Sequence, residues 1–177
     1  MDIQTMFDLT GKVVAITGGS GILGSAVATV LADLGCSIVI LDRNTKLTDE
    51  TRDRLDASGS PWSVFGCDVL DADSLKQVLN KSLGHFGRID ILINGAGGNH
   101  PKATTSAELS FFDIPADSFN RVMQLNLQGT VLPCQIFGRY FATRDEGTIL
   151  NISSMNALRP LTRIPAYSAA KAAVSNF

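Results

Sequence analysis

The 177 residues carry fifteen Lys and Arg against seventeen Asp and Glu, a net charge of -2, with 45% hydrophobic and 18% charged residues. One domain spanning 1–177 with a real apolar core fits this length; no basic field exists to hold a nucleic-acid backbone. Nor does any apolar run approach the ~20 residues that cross a bilayer, which excludes a membrane segment.

The opening MDIQTMFDLT has two acids and no basic residue before Lys12, unlike a secretory leader. Cys36, Cys67 and Cys134 are odd in number, far apart and without CxxC spacing. That pattern points to reduced thiols in a cytoplasmic protein rather than to disulfides or a metal site.

Short β-branched runs alternate with longer amphipathic stretches, the pattern of βαβ units around a parallel sheet covered by helices on both faces. Strands are expected at about 12–17, 37–41, 63–66, 89–93 and 148–152. Helices are expected over 22–34, 47–57, 73–86, 116–143 in two pieces, and from 166 onward. The segment 95–115 reads as a long Gly, Thr and Ser-rich loop, of the kind that is usually functional or mobile. The final helix-forming stretch runs to Phe177 without a terminating Gly or Pro, so the chain reads as cut short of its C-terminal part.

The first predicted strand ends in Thr17-Gly18-Gly19-Ser20-Gly21-Ile22-Leu23-Gly24 and leads straight into a helix. Glycines belong there because the turn is tight, the backbone must approach a pyrophosphate, and a Cβ would push helix from sheet. Amide hydrogens of the helix N-terminus then face the negative charge. Gly18, Ser20, Gly21, Ile22 and Gly24 are therefore the expected cofactor contacts of this turn. Asp42, at the end of the second strand, can accept both adenosine ribose hydroxyls and would repel a 2′-phosphate. NAD is the expected cofactor; NADP is the alternative if Asp42 turns away and Arg43 takes the phosphate.

Near the end, Asn151-Ile152-Ser153-Ser154 is followed, after twelve intervening residues, by Tyr167-Ser168-Ala169-Ala170-Lys171. Tyr167 and Lys171 are four apart on a predicted helix and share a face. A nearby ammonium favours an ionised phenol, which makes Tyr167 a usable acid/base, and Ser154 could hydrogen-bond the same substrate oxygen. Alone, Tyr and Lys at that spacing are often just a helix surface; the nucleotide-binding turn upstream is what gives the pair weight.

TGGSGILG, the CDV at Cys67 to Val69, NGAG at Asn94 to Gly97, NLQG at Asn126 to Gly129, NISS and YSAAK resemble the short-chain dehydrogenase/reductase family in order and spacing over essentially the whole chain. The resemblance implies a Rossmann-type doubly wound α/β sheet and hydride transfer between a nicotinamide cofactor and a secondary alcohol or ketone. It implies that Tyr167 exchanges a proton with the substrate oxygen and that Lys171 binds the nicotinamide ribose and supports the ionised phenol. Ser154 would polarise the substrate oxygen, and Asn126 would interrupt its helix and hold a water linking Lys171 to solvent. Asp68 would accept from the adenine amine, Val69 would pack near the ring, and Asn94, Ala96 and Gly97 would line the adenosine side. Two places depart from the family's usual form: Ile22 stands where the first motif commonly has Gly, and Gly95 where a second Asn is usual. Relatives form dimers or tetramers through long helices, so a homo-oligomer is expected.

For the substrate, Asn99, His100 and Lys102 open the long loop, and Arg159 and Arg163 lie between Ser154 and Tyr167. If two of these cations converge they favour a carboxylate; otherwise they are solvated loop charges and His100 a turn residue. NGAGGNHPKATT and SSMNALRPLTRIPAYSAAK resemble the branch of the family that interconverts D-mannonate and D-fructuronate, which implies an anionic sugar acid. Rival readings are a relative acting on another alcohol or ketone, and a catalytically silent nucleotide-binding protein on the same fold.

Overall fold

A computed structural model describes residues 8–177; most of the acid-bearing opening stretch, residues 1–7, lies outside the described residues. Five strands, β1 (Val13–Thr17), β2 (Ser37–Asp42), β3 (Trp62–Gly66), β4 (Ile91–Asn94) and β5 (Thr148–Asn151), form one sheet in the order β3-β2-β1-β4-β5. Every pairing is parallel. The helices are α1 (Ile22–Asp33), α2 (Asp49–Ala57), α3 (Ala72–Phe86), α4 (Ala116–Met123), α5 (Gly129–Ala142) and α6 (Pro165–Asn176). This is the Rossmann-type doubly wound sheet expected from the alternation of runs.

Side-chain alternation divides the core. Val13, Ala15, Val39, Leu41 and Leu92 point to one face, where α3 packs through Leu75, Val78 and Leu79 and α5 through Phe137 and Phe141. Val14, Ile16, Ile38, Ile40 and Ile93 point to the other, against Ala28 and Ala32 of α1 and Leu55 of α2. The inner strands are thus apolar on both sides, as a parallel sheet sandwiched between helices requires. β5, at the sheet edge, differs: Leu150 is 51% exposed.

Element ends shift by a few residues for identifiable reasons. The helix expected from 47 starts at Asp49, because the Thr48 hydroxyl accepts from the Thr51 N–H at 3.2 Å and caps it, while Leu47 is buried as core. The strand expected from 89 starts at Ile91; Asp90, just before it, bonds through its backbone to Val13 and Thr148 and also accepts through its side chain from the Val13 N–H at 2.9 Å. The long helical stretch divides as expected, with a π turn over Gln124–Gln128 between α4 and α5. The loop 95–115 is not featureless: it holds 3₁₀ turns at Pro101–Ala103 and Phe111–Asp113.

Strand order reverses at β1, since β2 and β3 lie on one side and β4 and β5 on the other. The connections leaving β1 and β4 therefore separate, opening a crevice at the carboxyl ends of these strands.

Candidate active site

At the β1 exit, Gly18 takes φ +68° and its N–H bonds to the Leu41 carbonyl at 2.8 Å. A Cβ on Gly18 would stand 2.8 Å from the Ala96 Cα, and one on Gly24 only 2.3 Å from the Gly18 oxygen. Both glycines are thus required by close backbone approach. Gly21 precedes α1 with no side-chain cap, and no acid lies in the helix's first turn. The free N–H groups and the dipole of α1 make this end suited to an anion. The Ser20 hydroxyl is buried without a protein partner beside it. Ile22, in the place of the usual glycine, is 95% exposed and so does not crowd the turn.

A crevice of about 280 Å³ opens here, lined by Gly18, Gly21, Ile22, Gly24, Asp42, Val69, Ala96 and Gly97. Asp42 is held at its side: one carboxylate oxygen accepts from the Ser20 N–H and the other from the Asn44 N–H, each at 3.1 Å. The orphaned Ser20 hydroxyl, the free helix amides and a fixed carboxylate fit a dinucleotide, whose pyrophosphate the amides could hold and whose adenosine ribose Asp42 could accept from.

The structure places the other expected cofactor residues unequally. Val69 is buried at the crevice wall, and the lack of a Cβ on Gly129 lets α5 approach it, since one there would lie 2.9 Å from the Val69 Cγ2. Asp68 uses one carboxylate oxygen to accept from the Leu70 N–H at 3.0 Å. Asn94 does not line the crevice; it is 2% exposed and donates to the Asn151 carboxamide oxygen at 2.8 Å and to the Cys134 sulfur at 3.1 Å. The resemblance groups it with Ala96 and Gly97, but strand alternation puts Asn94 on the face of Leu92, which packs against the α5 helix, and there it ties β4 to β5 and α5 instead.

Two contributors went unassigned in the sequence. Thr17, fully buried, accepts through its hydroxyl from the Gly95 and Ala96 N–H groups, both at 3.2 Å, and so fixes the loop leaving β4. A Cβ on Gly95 would sit 2.9 Å from the Thr17 carbonyl, which gives that departure from the family's usual motif a steric reason. Leu125, inside the π turn, lines the crevice; its place directly before Asn126 was the available signal.

On the far side of β1, α6 begins at Pro165, whose fixed φ suits a first helical position. Tyr167 is partly buried against Ala103, Val122 and Ala166. One turn later Lys171 is buried, with its Nζ 5.8 Å from the Tyr167 ring centroid. The ammonium donates to the Ile152 carbonyl at 2.7 Å, which leaves two of its three protons for other partners. Burial pushes the Lys171 pKa down from its ordinary value. Ser154, leaving β5, accepts from the Asn156 N–H at 3.2 Å and is partly exposed.

Asn126 meets this group from the π turn. Its carboxamide accepts from the Gly98 N–H at 3.1 Å and donates to the Gly98 and Val122 carbonyls at 2.7 and 2.8 Å. A Cβ on Gly97 would lie 2.6 Å from the Asn126 oxygen and 3.6 Å from the Lys171 Nζ. Asn126, Gly97 and Lys171 therefore share one spot, and the Asn126 side chain is occupied by the backbone of the loop leaving β4.

The expected substrate residues separate. Asn99 and His100 help fold their own loop: Asn99 donates to the Thr104 hydroxyl at 2.8 Å, and His100 Nδ1 accepts from the Lys102 N–H at 3.2 Å. Lys102, Arg159 and Arg163 are exposed. The Arg163 carbonyl accepts from the Thr105 N–H at 2.8 Å, so the long loop and the segment before Tyr167 are stitched together.

Comparison with known proteins agrees with this geometry. A family model described as short chain dehydrogenase matches residues 12–177. An uncharacterized oxidoreductase of Bacillus subtilis bearing the name UxuB is 43% identical, with 96% of this chain matched to 64% of its length. Among solved structures, a Haemophilus protein provisionally designated a D-mannonate oxidoreductase, with bound NAD, superimposes at TM-score 0.90 and 40% identity, over 99% of this chain and 66% of that one. An NAD+-bound xylitol dehydrogenase superimposes at TM-score 0.83 and 29% identity, over 93% and 61%. The chain spans slightly less than two thirds of these relatives' lengths. Sheet order, crevice and family match lead to one conclusion: this chain belongs to the short-chain dehydrogenase/reductase family of NAD(P)-dependent oxidoreductases.

Proposed function

We propose that the protein transfers a hydride between NAD(H) and a secondary alcohol or ketone, with D-mannonate and D-fructuronate as its substrate pair. The observation that carries the hydride-transfer reading is the buried Lys171 ammonium beside Tyr167, across from a crevice suited to a dinucleotide. A bound nicotinamide supplies or accepts the hydride. Tyr167 donates its phenolic proton to the carbonyl oxygen during reduction and takes it back from the hydroxyl during oxidation. Ser154 donates a hydrogen bond to the same oxygen, which disperses the charge developing there. Lys171 would offer its two remaining protons to the nicotinamide ribose, and its positive charge beside Tyr167 favours the ionised phenol. Asn126 acts at one remove, holding Gly98 and with it the loop that walls the site.

NAD is preferred to NADP on this reading, because backbone amides fix the Asp42 carboxylate at the crevice wall, where its negative charge would repel a 2′-phosphate. Support for a sugar acid comes from the UxuB-named and D-mannonate-designated relatives; the exposed Lys102, Arg159 and Arg163 do not converge and add none. Three unpaired cysteines suit a cytoplasmic setting. Among the described residues no helix is long and apolar enough to cross a membrane. The long helices α3 and α5 border a groove that includes Leu79, Leu132 and Ile136, a surface suited to a homodimer or homotetramer. Steady-state assay with fructuronate and NADH tests the substrate; failure to turn it over, alongside good activity on an uncharged ketone, removes the sugar acid.

A further inference from the structure

Next to the crevice lies a second cavity of about 180 Å³, whose walls include Arg43 after β2, Asn99 and His100 after β4, and Arg121 on α4, together with apolar residues such as Leu70 and Leu125. Arg43 and Leu125 line both spaces, so the second adjoins the first. It includes no residue of the glycine turn and none of Ser154, Tyr167 or Lys171. Two residues assigned from sequence to the substrate, Asn99 and His100, thus face a place apart from the catalytic group.

The lining is one-sided in charge. No acid lines this cavity, and among the described residues neither Arg43 nor Arg121 has a carboxylate within 4.0 Å. His100 adds a donor: its Nδ1 accepts from the Lys102 N–H, which puts the proton of the neutral ring on Nε2. Three elements distant in sequence therefore bring Arg43, His100 and Arg121 to the wall of one space. Like charges gathered there repel unless an anion is present, and guanidinium forks match the oxygens of a phosphate bidentately.

We propose that this cavity binds a small phosphate-like dianion, at a site separate from the pyrophosphate seat of the glycine turn. The inference rests on the dinucleotide reading only for what occupies the neighbouring crevice. A dianion at this place would lie at the rim of that crevice, next to Arg43, and would be positioned to influence coenzyme entry or release.

The test is calorimetric titration of inorganic phosphate into the full chain with and without saturating NAD, which fills the pyrophosphate seat. The expected result is one saturable phosphate site in the NAD-loaded protein, weakened about tenfold or more by Arg121→Gln. The exposed Arg121 lies outside the crevice, so NAD affinity should be unchanged in that variant, which also serves as the check on folding. No saturable phosphate binding to NAD-loaded protein, or equal binding by Arg121→Gln, overturns the proposal. A parallel titration with NADP separates the source: if Arg121→Gln weakens NADP but not free phosphate, the anion is the nucleotide's own 2′-phosphate and the separate site is wrong. Failure of NAD to bind at all would count against the dinucleotide reading and leave the phosphate titration to be judged alone.

Discussion

Lys171 Nζ stands 5.8 Å from the centre of the Tyr167 ring while donating to the Ile152 carbonyl at 2.7 Å. The carbonyl holds the ammonium at the end of β5, and the helix holds the phenol one turn away, so strand and helix together fix the pair. Burial of the ammonium lowers the Lys171 pKa, because charge is disfavoured out of water. Lys171→Met removes the donor and leaves the Ile152 carbonyl to find another partner. We expect turnover to fall by about 10²-fold or more and NADH affinity to weaken as well, measured by initial rates and fluorescence titration. Unchanged NADH affinity would separate Lys171 from the ribose.

Gly24→Ala tests the glycine turn. The added methyl would meet the Gly18 oxygen at 2.3 Å and the Gly19 Cα at 2.7 Å, contacts that only a backbone shift can relieve. NADH binding should be lost, with a stability cost of about 1–3 kcal/mol, read by fluorescence titration and thermal melting. Gly84→Ala, on α3 with open space around its Cβ position, should leave NADH binding unchanged and serves as the control.

Asp90 carries a different load, at the opposite end of the sheet. It accepts from the Val13 N–H and pairs with the guanidinium of Arg88, and the Arg144 Nη2 lies 3.7 Å away. Desolvation raises its pKa, but the Arg88 and Val13 hydrogen bonds outweigh this and hold it below the ordinary carboxylate value. A depressed pKa means that the native state favours the ionised form. Its stabilisation is full above the unfolded value of about 3.9 and is lost as pH falls through the lower folded value. Asp90→Ala should therefore cost about 2–3 kcal/mol at neutral pH by leaving the Val13 N–H unpaired. The gap to the parent should narrow in acid, as followed by denaturant melts across pH.

The thiols should differ in reactivity. Cys67 is buried, and desolvation pushes its pKa up to about 11, so little thiolate exists at neutral pH. Cys36 is also buried and raised, chiefly by desolvation. Cys134 is only partly buried. Labelling of the native protein with a thiol reagent followed by peptide mass mapping should modify Cys134 first and Cys36 and Cys67 only on unfolding.

Sequence periodicity was enough to place the five strands and the division of the long helix, while the grouping of Asn126 with Lys171 came from the family resemblance. What they could not give was the direction of individual side chains. Asn94 sits in a motif associated with the cofactor, yet strand alternation turns it toward Asn151 and Cys134. Asn99 and His100 look like ligands in a polar loop, but loop backbone needs local partners, and both are used to hold the turn around Thr104 and Lys102. Thr17 reads as part of a strand, and only tertiary approach of β4 gives its hydroxyl two amide donors. Arg121 carries no motif; it enters a site only because α4 lies beside the ends of β2 and β4.

The central claim, proton exchange through Tyr167 during hydride transfer, is tested most directly by Tyr167→Phe. Single-turnover oxidation of bound NADH by D-fructuronate should slow by about 10²- to 10⁴-fold, with NADH affinity within error of the parent. A variant that binds NADH and turns over at the parental rate would contradict it.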